Sequence, residues 1–520
     1  MNWKDVEGYF SYTNLYDLAL KYSPQDSVFV EVGSWMGRST CYMGEKIKNS
    51  SKNIKFYAVD TWDGSEEPQH KKTIEELKNN NITLLDVFNH NLKSCGVEEY
   101  VIPIQNTSLE VAKTFEDDSI DFLHIDASHD YENVIADIIA WYPKVKPGGF
   151  ITGDDYVINW SGVVNAVNSY FKDKSLVLLD RQDGTISKVW LHQKQGEKME
   201  VTLYAIAKNE EKNVEKFIEN SKKFSNVVVV DTGSTDNTVS LLRDAGIQVY
   251  EHPQTRDEFD FSVARNQALS YVKTDWALSI DFNEEISNLY LDGMGVISDE
   301  FTAFKHLRYD LDDEENLKEG QTSFVRFHRT KNYKWVDAIH ESLMFIPSED
   351  FSEERSVETS IKITKTISKS IDKQLFYLSI CEREYEKNPS STYFLWFILK
   401  HYYDVRAVEK YLKYSSEYLT LSKSYSDPMR IDVFIMSCNV LLSLDKLELA
   451  ANYSFHAFSE SIMFGSDYIG KSLMTLYNVG NITKNPNIII FATAFNENTL
   501  DLPERKNAIK ELYEKTIGEK

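Results

Sequence analysis

The stretch VVVVDTGSTDNT, residues 227–238, decides how the chain is read. Four consecutive valines suit a strand buried on both faces, as in a parallel sheet covered by helices. Asp231, Ser234 and Asp236 then fall at the strand's carboxyl end, where open α/β sheets bind ligands. Four more segments repeat the arrangement in order: AIAKNEE (205–211) before it, and SVARNQAL (262–269), LSIDFNEE (278–285) and WVDAIHESL (335–343) after it. For Ser234 and Asp236 taken alone, capping of a helix N-terminus explains the residue types equally well. The full string Asp-Thr-Gly-Ser-Thr-Asp favours ligand binding.

In this order, the five motifs resemble the family 2 glycosyltransferases with the GT-A fold, in the branch that carries a tetratricopeptide-like helical tail. The resemblance implies a nucleotide-sugar donor, with a UDP-sugar expected. It places Ala207, Asn209 and Glu210 in the nucleotide pocket, Asp231 on the base, and Ser234 and Asp236 beside it. Arg265 and Asn266 stand at the family's Ala-Arg-Asn position, where a forked guanidinium can neutralise pyrophosphate. Asp281-Phe282-Asn283-Glu284 stands where the family has Asp-Ala-Asp-Glu, whose acids hold ribose and a Mn²⁺ or Mg²⁺ ion. Asn283 replaces the second acid, so metal affinity should fall. His340 matches a downstream histidine that implies a third metal ligand. An inverting transfer also needs a carboxylate base. Glu341, Glu284, Glu285 and Asp337 all qualify by position, and Glu341, within the His-Glu pair, is the favoured candidate.

Residues 1–195 carry a second α/β pattern. Apolar runs at 27–32, 54–59, 101–105, 120–125 and 149–152 read as parallel strands, and runs at 176–179 and 186–192 flank a Gln-Asp-Gly turn. EVGSWMGRS (31–39) follows the first strand, with Gly33 and Gly37 spaced for close approach of backbone to a cofactor. Asp60 ends the second strand, and Asn106 and Ser108 the third. Asp126-Ala-Ser-His129-Asp-Tyr ends the fourth, and Asp154-Asp155 the fifth. This set resembles the class I S-adenosylmethionine-dependent O-methyltransferases, with Ala127 in place of the usual Gly. The resemblance implies cofactor binding by Glu31, Gly33, Gly37, Ser39, Asp60, Asn106 and Ser108. It further implies Mg²⁺ on Asp126, Asp154 and Asp155, with Asp126 catalytic and His129 a general base.

From 371 onward, amphipathic helices alternate with turn signals, and the two prolines 389 and 428 are spaced close to a tetratricopeptide period. The expected fold class is therefore multidomain α/β: a Rossmann-like methyltransferase sheet over 1–195, a GT-A domain over 199–347 and an all-α tail over 360–520. A charged loop at 310–320 and a linker at 193–198 are expected between elements.

Composition narrows the setting. A chain of 520 residues with net charge −24 is too long for one core and lacks the basic face of a general nucleic-acid binder. Its four scattered cysteines form no Cys-x-x-Cys pair and suit a reducing compartment. No signal peptide begins the sequence, and no apolar run reaches the ~18 residues of a membrane span. The expectation is a cytoplasmic protein, bacterial or of a viral host, acting on a glycan or protein acceptor. The helical tail would recognise the acceptor or form a homo-oligomer. Two alternatives stay open: a glycosyltransferase with a non-catalytic methyltransferase-like module, or a methyltransferase with an inactive glycosyltransferase-like module.

Overall fold

The computed structural model describes residues 1–492 apart from positions 66, 173, 175, 195–197, 290, 292, 293, 295, 296, 312–316, 367–369, 423–426, 463, 465, 486, 487 and 489–491. Seven strands arise before residue 195: β1 (Asp26–Val32), β2 (Asn53–Asp60), β3 (Val101–Gln105), β4 (Ile120–Ile125), β5 (Val145–Tyr156), β6 (Val177–Asp180) and β7 (Lys188–Gln193). They lie in the order 3-2-1-4-5-7-6. The first five are parallel, and β7 runs antiparallel to β5 and β6. Every residue of β4 is buried, as expected of a central strand covered on both faces. Two apolar layers cover the sheet, one around Phe29, Phe56 and Phe122, the other around Val30, Leu123 and Trp141.

Ten more strands follow: β8 (Val201–Ala207), β9 (Asn226–Asp231), β10 (Gln248–Glu251), β11 (Trp276–Ser279), β12 (Glu284–Ser287), β13 (Ala303–Leu311), β14 (Leu317–Arg329), β15 (Tyr333–Val336), β16 (Ser342–Phe345) and β17 (Ser356–Thr366). Strands β10-β9-β8-β11 are parallel, and β14 and β13 continue them antiparallel. Strand β17 then joins β13 on one side and β6 on the other, so the two halves share one sheet, fifteen-stranded among the described residues. Each half has a point where strand connections diverge: β1 lies between β2 and β4, and β8 between β9 and β11. Such points open a crevice beyond the strand ends.

Three expectations are corrected. Residues 360–366 are not helical but complete β17, whose alternating burial marks a sheet covered on one face. Asp310 and Leu311 close β13 and 317–320 open β14, so these parts of the expected loop are strand, and positions 312–316 lie outside the described residues. The expected linker is pinned at its start: Gln193 ends β7, and buried Lys194 donates to Asp118 and to the Val145 carbonyl. Positions 195–197 lie outside the described residues.

A separate helical unit comprises residues 254–262, 337–341 and 368 onward. Its described helices are Ile371–Lys387, Thr392–Asp404, Val408–Leu421, Met429–Ser443, Leu447–Ser461 and Ser466–Thr483. Starts at 371, 408 and 447 alternate with starts at 392, 429 and 466, the rhythm of stacked helical hairpins. The aromatic run 393–397 packs mainly inward, with Leu395 fully buried and Phe394, Trp396 and Phe397 against the same core. The part of the expected tail beyond residue 492 lies outside the described residues.

Candidate active sites

The first crevice is a cleft of about 840 Å³ at the carboxyl ends of β1, β2, β4 and β5. Gly33 and Gly37 have φ of 90° and 87°, which favours glycine. At Gly33 the backbone passes so close to the next strand that a Cβ would lie 2.1 Å from the Asp126 carbonyl oxygen. Asp60 organises the loop: its carboxylate accepts from the amides of Ser34, Trp35 and Trp62 at 2.8–2.9 Å. Gly33, Ser39, Asp60, Asn106 and Ser108 all line the cleft. Glu31 and Gly37 are not among its lining residues. Glu31 is 1% exposed and accepts from Tyr16 at 2.8 Å and Thr40 at 2.6 Å, so it braces the first strand against the following helix. Burial pushes its carboxyl above the ordinary range.

Asp126, Asp154, Asp155 and His129 converge on the same cleft. Burial, then the neighbouring Asp154 and Asp155 carboxylates, push the Asp126 carboxyl well up. Burial and Asp155 lift Asp154 to about 7, against the opposing pull of Arg181. Arg181 donates to Asp154 at 3.0 Å and to Asp155 at 3.3 Å, and Tyr12 donates to Asp126 at 3.1 Å. His129 is held at both nitrogens, 3.1 Å from Glu67 and 2.9 Å from Asp155, and stacks on Trp160. Burial lowers its pKa, but Asp155 and Glu67 outweigh that and raise it. A histidine so placed favours the imidazolium form and is poorly set up as a base. Ligand atoms of Asp126, His129 and Asp155 lie within 4.8 Å of one another. Two hard carboxylates, joined by the imidazole once His129 gives up the proton it shares with Asp155, in a site with more acid than Arg181 balances, fit a divalent cation. Asp154, expected as a third ligand, lies nearer Arg181, at 3.0 Å, and is not in this group.

The second crevice lies at the ends of β8, β9 and β11. Two loops are knitted together here. Asp231 is 4% exposed and accepts from the Gly233 and Ser234 amides and the Ser234 hydroxyl. The Asn209 amide donates to Ser234, while Asn209 Oδ1 accepts from the Thr235 amide. The Glu210 amide donates to Thr238. Ala207 ends β8, and its carbonyl accepts from the Thr232 amide and hydroxyl. Asp236 accepts from the Thr238 amide and from the Glu211 amide, so it too ties the two loops together, while the helix Thr238–Asp244 has Asn237 at its N-cap with no side-chain capping bond.

Arg265 is 3% exposed, stacks over Trp335 and donates to Ser279 at 3.1 Å and to Asp281 Oδ1 at 2.6 Å. Asn266 exchanges two hydrogen bonds with the Trp335 backbone, which makes it a clasp for β15. Lys365, from β17, donates to Asp281 Oδ2 at 2.6 Å. Arg326, from β14, reaches Glu284 at 3.1 Å and lies 3.8 Å from Asp281. Burial would raise the Asp281 carboxyl, but Lys365, then Arg265 and Arg326, hold it well below its ordinary range. Asn283 donates its side-chain amide to the Thr366 carbonyl. His340 and Glu341 belong to the helical unit. There His340 stacks on Phe397 at 3.6 Å and its Nε2 lies 3.4 Å from Nε2 of His401. Burial pulls both imidazoles down, to about 3 and about 4, so both are neutral at pH 7.

Sequence reading missed Arg181, Tyr12, Lys365 and Arg326. Each reaches its acid from a strand or segment distant in sequence, so no local motif contains the pair.

Residues 30–156 match the family model described as a methyltransferase domain, and residues 202–288 that of glycosyl transferase family 2. An uncharacterized protein of Acanthamoeba polyphaga mimivirus is 31% identical over 31% of this chain and 66% of its own length. An uncharacterized glycosyltransferase of Rickettsia typhi is 26% identical over 29% of this chain and 55% of its own. The chain thus spans less than two thirds of either relative. Among solved structures, the O-methyltransferase NovP is 18% identical over 35% of this chain and 78% of its own, with a TM-score of 0.28. Among the described residues no helix is long and apolar enough to cross a membrane. The chain joins a methyltransferase domain to a glycosyl transferase family 2 domain, followed by a helical region.

Proposed function

We propose that the chain is a bifunctional enzyme that methylates a hydroxyl with S-adenosylmethionine and transfers a sugar from a nucleotide-sugar, a UDP-sugar first, to a glycan or protein acceptor. The observation that carries this reading is that each crevice of the shared sheet gathers acids and cations at its strand ends.

In the first site, the loop held by Asp60 and the side chains of Ser39, Asn106 and Ser108 would cradle the cofactor. Asp126, Asp155 and His129 would hold a divalent cation, whose chemistry is to stabilise charge on the substrate oxygen. The hydroxyl oxygen attacks the methyl carbon, the carbon–sulfur bond breaks with its electrons on sulfur, and S-adenosylhomocysteine leaves. We assign the proton to Asp154, whose carboxyl titrates near 7 and suits a base at neutral pH.

In the second site, the knitted loops around Asp231 form the floor for the nucleotide in a GT-A arrangement. The acceptor hydroxyl gives its proton to a carboxylate base, drawn from the set Glu284, Glu285, Asp337 and Glu341, its oxygen attacks the anomeric carbon with inversion, and the bond to the diphosphate breaks with its electrons on phosphate oxygen. Arg265 neutralises part of that charge through its forked donors.

Calorimetric titration of S-adenosylhomocysteine and UDP into wild type, Asn106→Trp and Arg265→Met tests the reading. Two independent binding events are expected, the first lost in Asn106→Trp and the second in Arg265→Met. Binding of one ligand alone would reduce the chain to a single transferase carrying a non-catalytic module. Binding of neither would overturn the reading.

A further inference from the structure

Family 2 glycosyltransferases hold their diphosphate through a divalent metal on the Asp-x-Asp pair, and the residues present at 281–283 do not fit one. Both oxygens of Asp281 are already engaged, Oδ1 by Arg265 and Oδ2 by Lys365, each at 2.6 Å. Asn283 has no charge to offer, and its amide nitrogen is spent on Thr366 at 2.8 Å. Among the described residues, the groups of three or more acids, histidines and cysteines close enough to share an ion are Asp126–His129–Asp155 and His340–Cys381–His401, and Asp281 is in neither.

Resting on the glycosyltransferase reading, we infer that this domain binds a nucleoside diphosphate without metal, with Lys365 and Arg326 joining Arg265 in the charge-neutralising role. The three cations come from β17, β14 and the helix Phe261–Ser270 and converge on Asp281 and Glu284. They are built in rather than incidental. Buried positions 357, 359, 361 and 363 form one face of β17, and Lys365 continues that row towards Asp281.

Asn283 explains how Lys365 is held. Its Nδ2 donates to the Thr366 carbonyl, and the Thr366 amide donates back to the Asn283 carbonyl at 3.3 Å. This two-way clasp fixes the residue next to Lys365. An aspartate at 283 could not donate to that carbonyl and would set a carboxylate against it. The substitution that weakens a metal site therefore positions the cation that replaces the metal. The Lys365 ammonium carries three donors, spends one on Asp281, and is 20% exposed, so it can also face a phosphate oxygen.

The test is calorimetric titration of UDP and GDP into the full chain after EDTA treatment, with and without added Mn²⁺. Wild type, Lys365→Met, Lys365→Arg and the double variant Asn283→Asp with Lys365→Met are compared. S-adenosylhomocysteine binding by the same samples reports that the sheet is intact. Expected is metal-free binding in wild type, unchanged by Mn²⁺. Lys365→Met should weaken it by about tenfold or more, the scale of one charge-assisted hydrogen bond, and Lys365→Arg should restore most of it. The double variant should bind only with Mn²⁺. Wild-type binding that requires Mn²⁺, or full affinity in Lys365→Met, would overturn the inference while leaving the glycosyltransferase reading in place. Binding of neither nucleotide under any condition would overturn both.

Discussion

Thr359 of β17 lies directly opposite Val177 of β6, and this pairing fuses two α/β sheets that the sequence presents as separate domains. Beside it, the Ser360 amide donates to the Leu176 carbonyl at 3.2 Å, and the Leu176 amide to the Ser360 hydroxyl at 3.3 Å. Strand β17 also covers β13 and pairs with β12. A fragment covering 199–347 would therefore expose the edges of β13 and β12 and lose Lys365. It is expected to aggregate or melt without a cooperative transition, because unpaired edges recruit other chains. Fragment 199–366 should be the more soluble and higher melting of the two. Light scattering and thermal melts of both fragments check this, and equal behaviour would count against β17 as part of the second sheet.

The Asp154 carboxyl carries a sign that can be tested. Its pKa is near 7 in the folded chain, against an ordinary value near 3.8. Between those limits the folded state binds more protons than the unfolded one, so stability falls as pH rises from about 4 to about 7 and then levels off. Asp154→Asn removes the titrating group, so its melting temperature should fall less over that window than that of wild type. Added Mg²⁺ or Mn²⁺ should also flatten the wild-type slope, by favouring the ionised carboxylates around it. A slope identical in wild type and Asp154→Asn would show that the acid does not titrate there.

His129 offers an independent check of the same cluster. Asp155 and Glu67 raise its pKa against the pull of burial. In histidine-labelled protein, its ring signals should titrate above the free value of about 6.5, and Glu67→Gln should bring the midpoint down. By the same linkage, the stabilisation from this pairing is fully present below about 6.5 and is lost as pH rises through the higher folded value. A midpoint below 6.5 would mean that burial wins and would restore His129 as a candidate base.

What sequence reading found and missed follows from locality. Asp60, Asp126, Asp154, Asp231 and Asp281 each end or follow an apolar run, so strand and site residue were legible together. The partners of those acids were not. Lys365 meets Asp281 across 84 residues, through a sheet order no local pattern encodes. Strand β17 is signalled by alternation in Val357, Thr359, Ile361 and Ile363, but Glu353, Glu354 and Glu358 around its start dilute the signal. Glu31 was misplaced for the opposite reason. Its motif is local, but the buried Tyr16 that turns it inward comes from a helix outside that motif.

Gly33→Ala separates cofactor binding from folding of the remaining chain. The added Cβ would fall 2.1 Å from the Asp126 carbonyl oxygen and sit at a φ of 90°, which L-residues rarely adopt. Backbone must move, and it is the backbone that carries the Asp126 carboxylate. The expected cost is about 1–3 kcal/mol from the dihedral alone, with more from the clash. S-adenosylhomocysteine binding should be lost, while UDP binding at the other crevice persists. Calorimetry on one sample reads both, and retained S-adenosylhomocysteine affinity would contradict the tight packing of this loop.

In the helical unit the most consequential polar pair is Arg430 with Glu460. The guanidinium donates to both carboxylate oxygens, at 2.8 and 2.9 Å, and its remaining nitrogen serves the Leu419 and Ser422 carbonyls. Both side chains are over nine-tenths buried, so water cannot replace a missing partner. Arg430→Met strands the Glu460 carboxylate and should cost about 3–5 kcal/mol, whereas Arg430→Met with Glu460→Leu should recover much of it, because two apolar groups leave no buried charge. Hydrogen exchange in peptides from Met429–Ser443 and Leu447–Ser461 within the full chain reads the effect where it arises. Rapid exchange in the single variant and protection in the double would show that the pair specifies the helix packing more than it stabilises it. Equal protection in all three would mean that the neighbouring apolar contacts of Ile431, Phe434 and Ala457 hold these helices unaided.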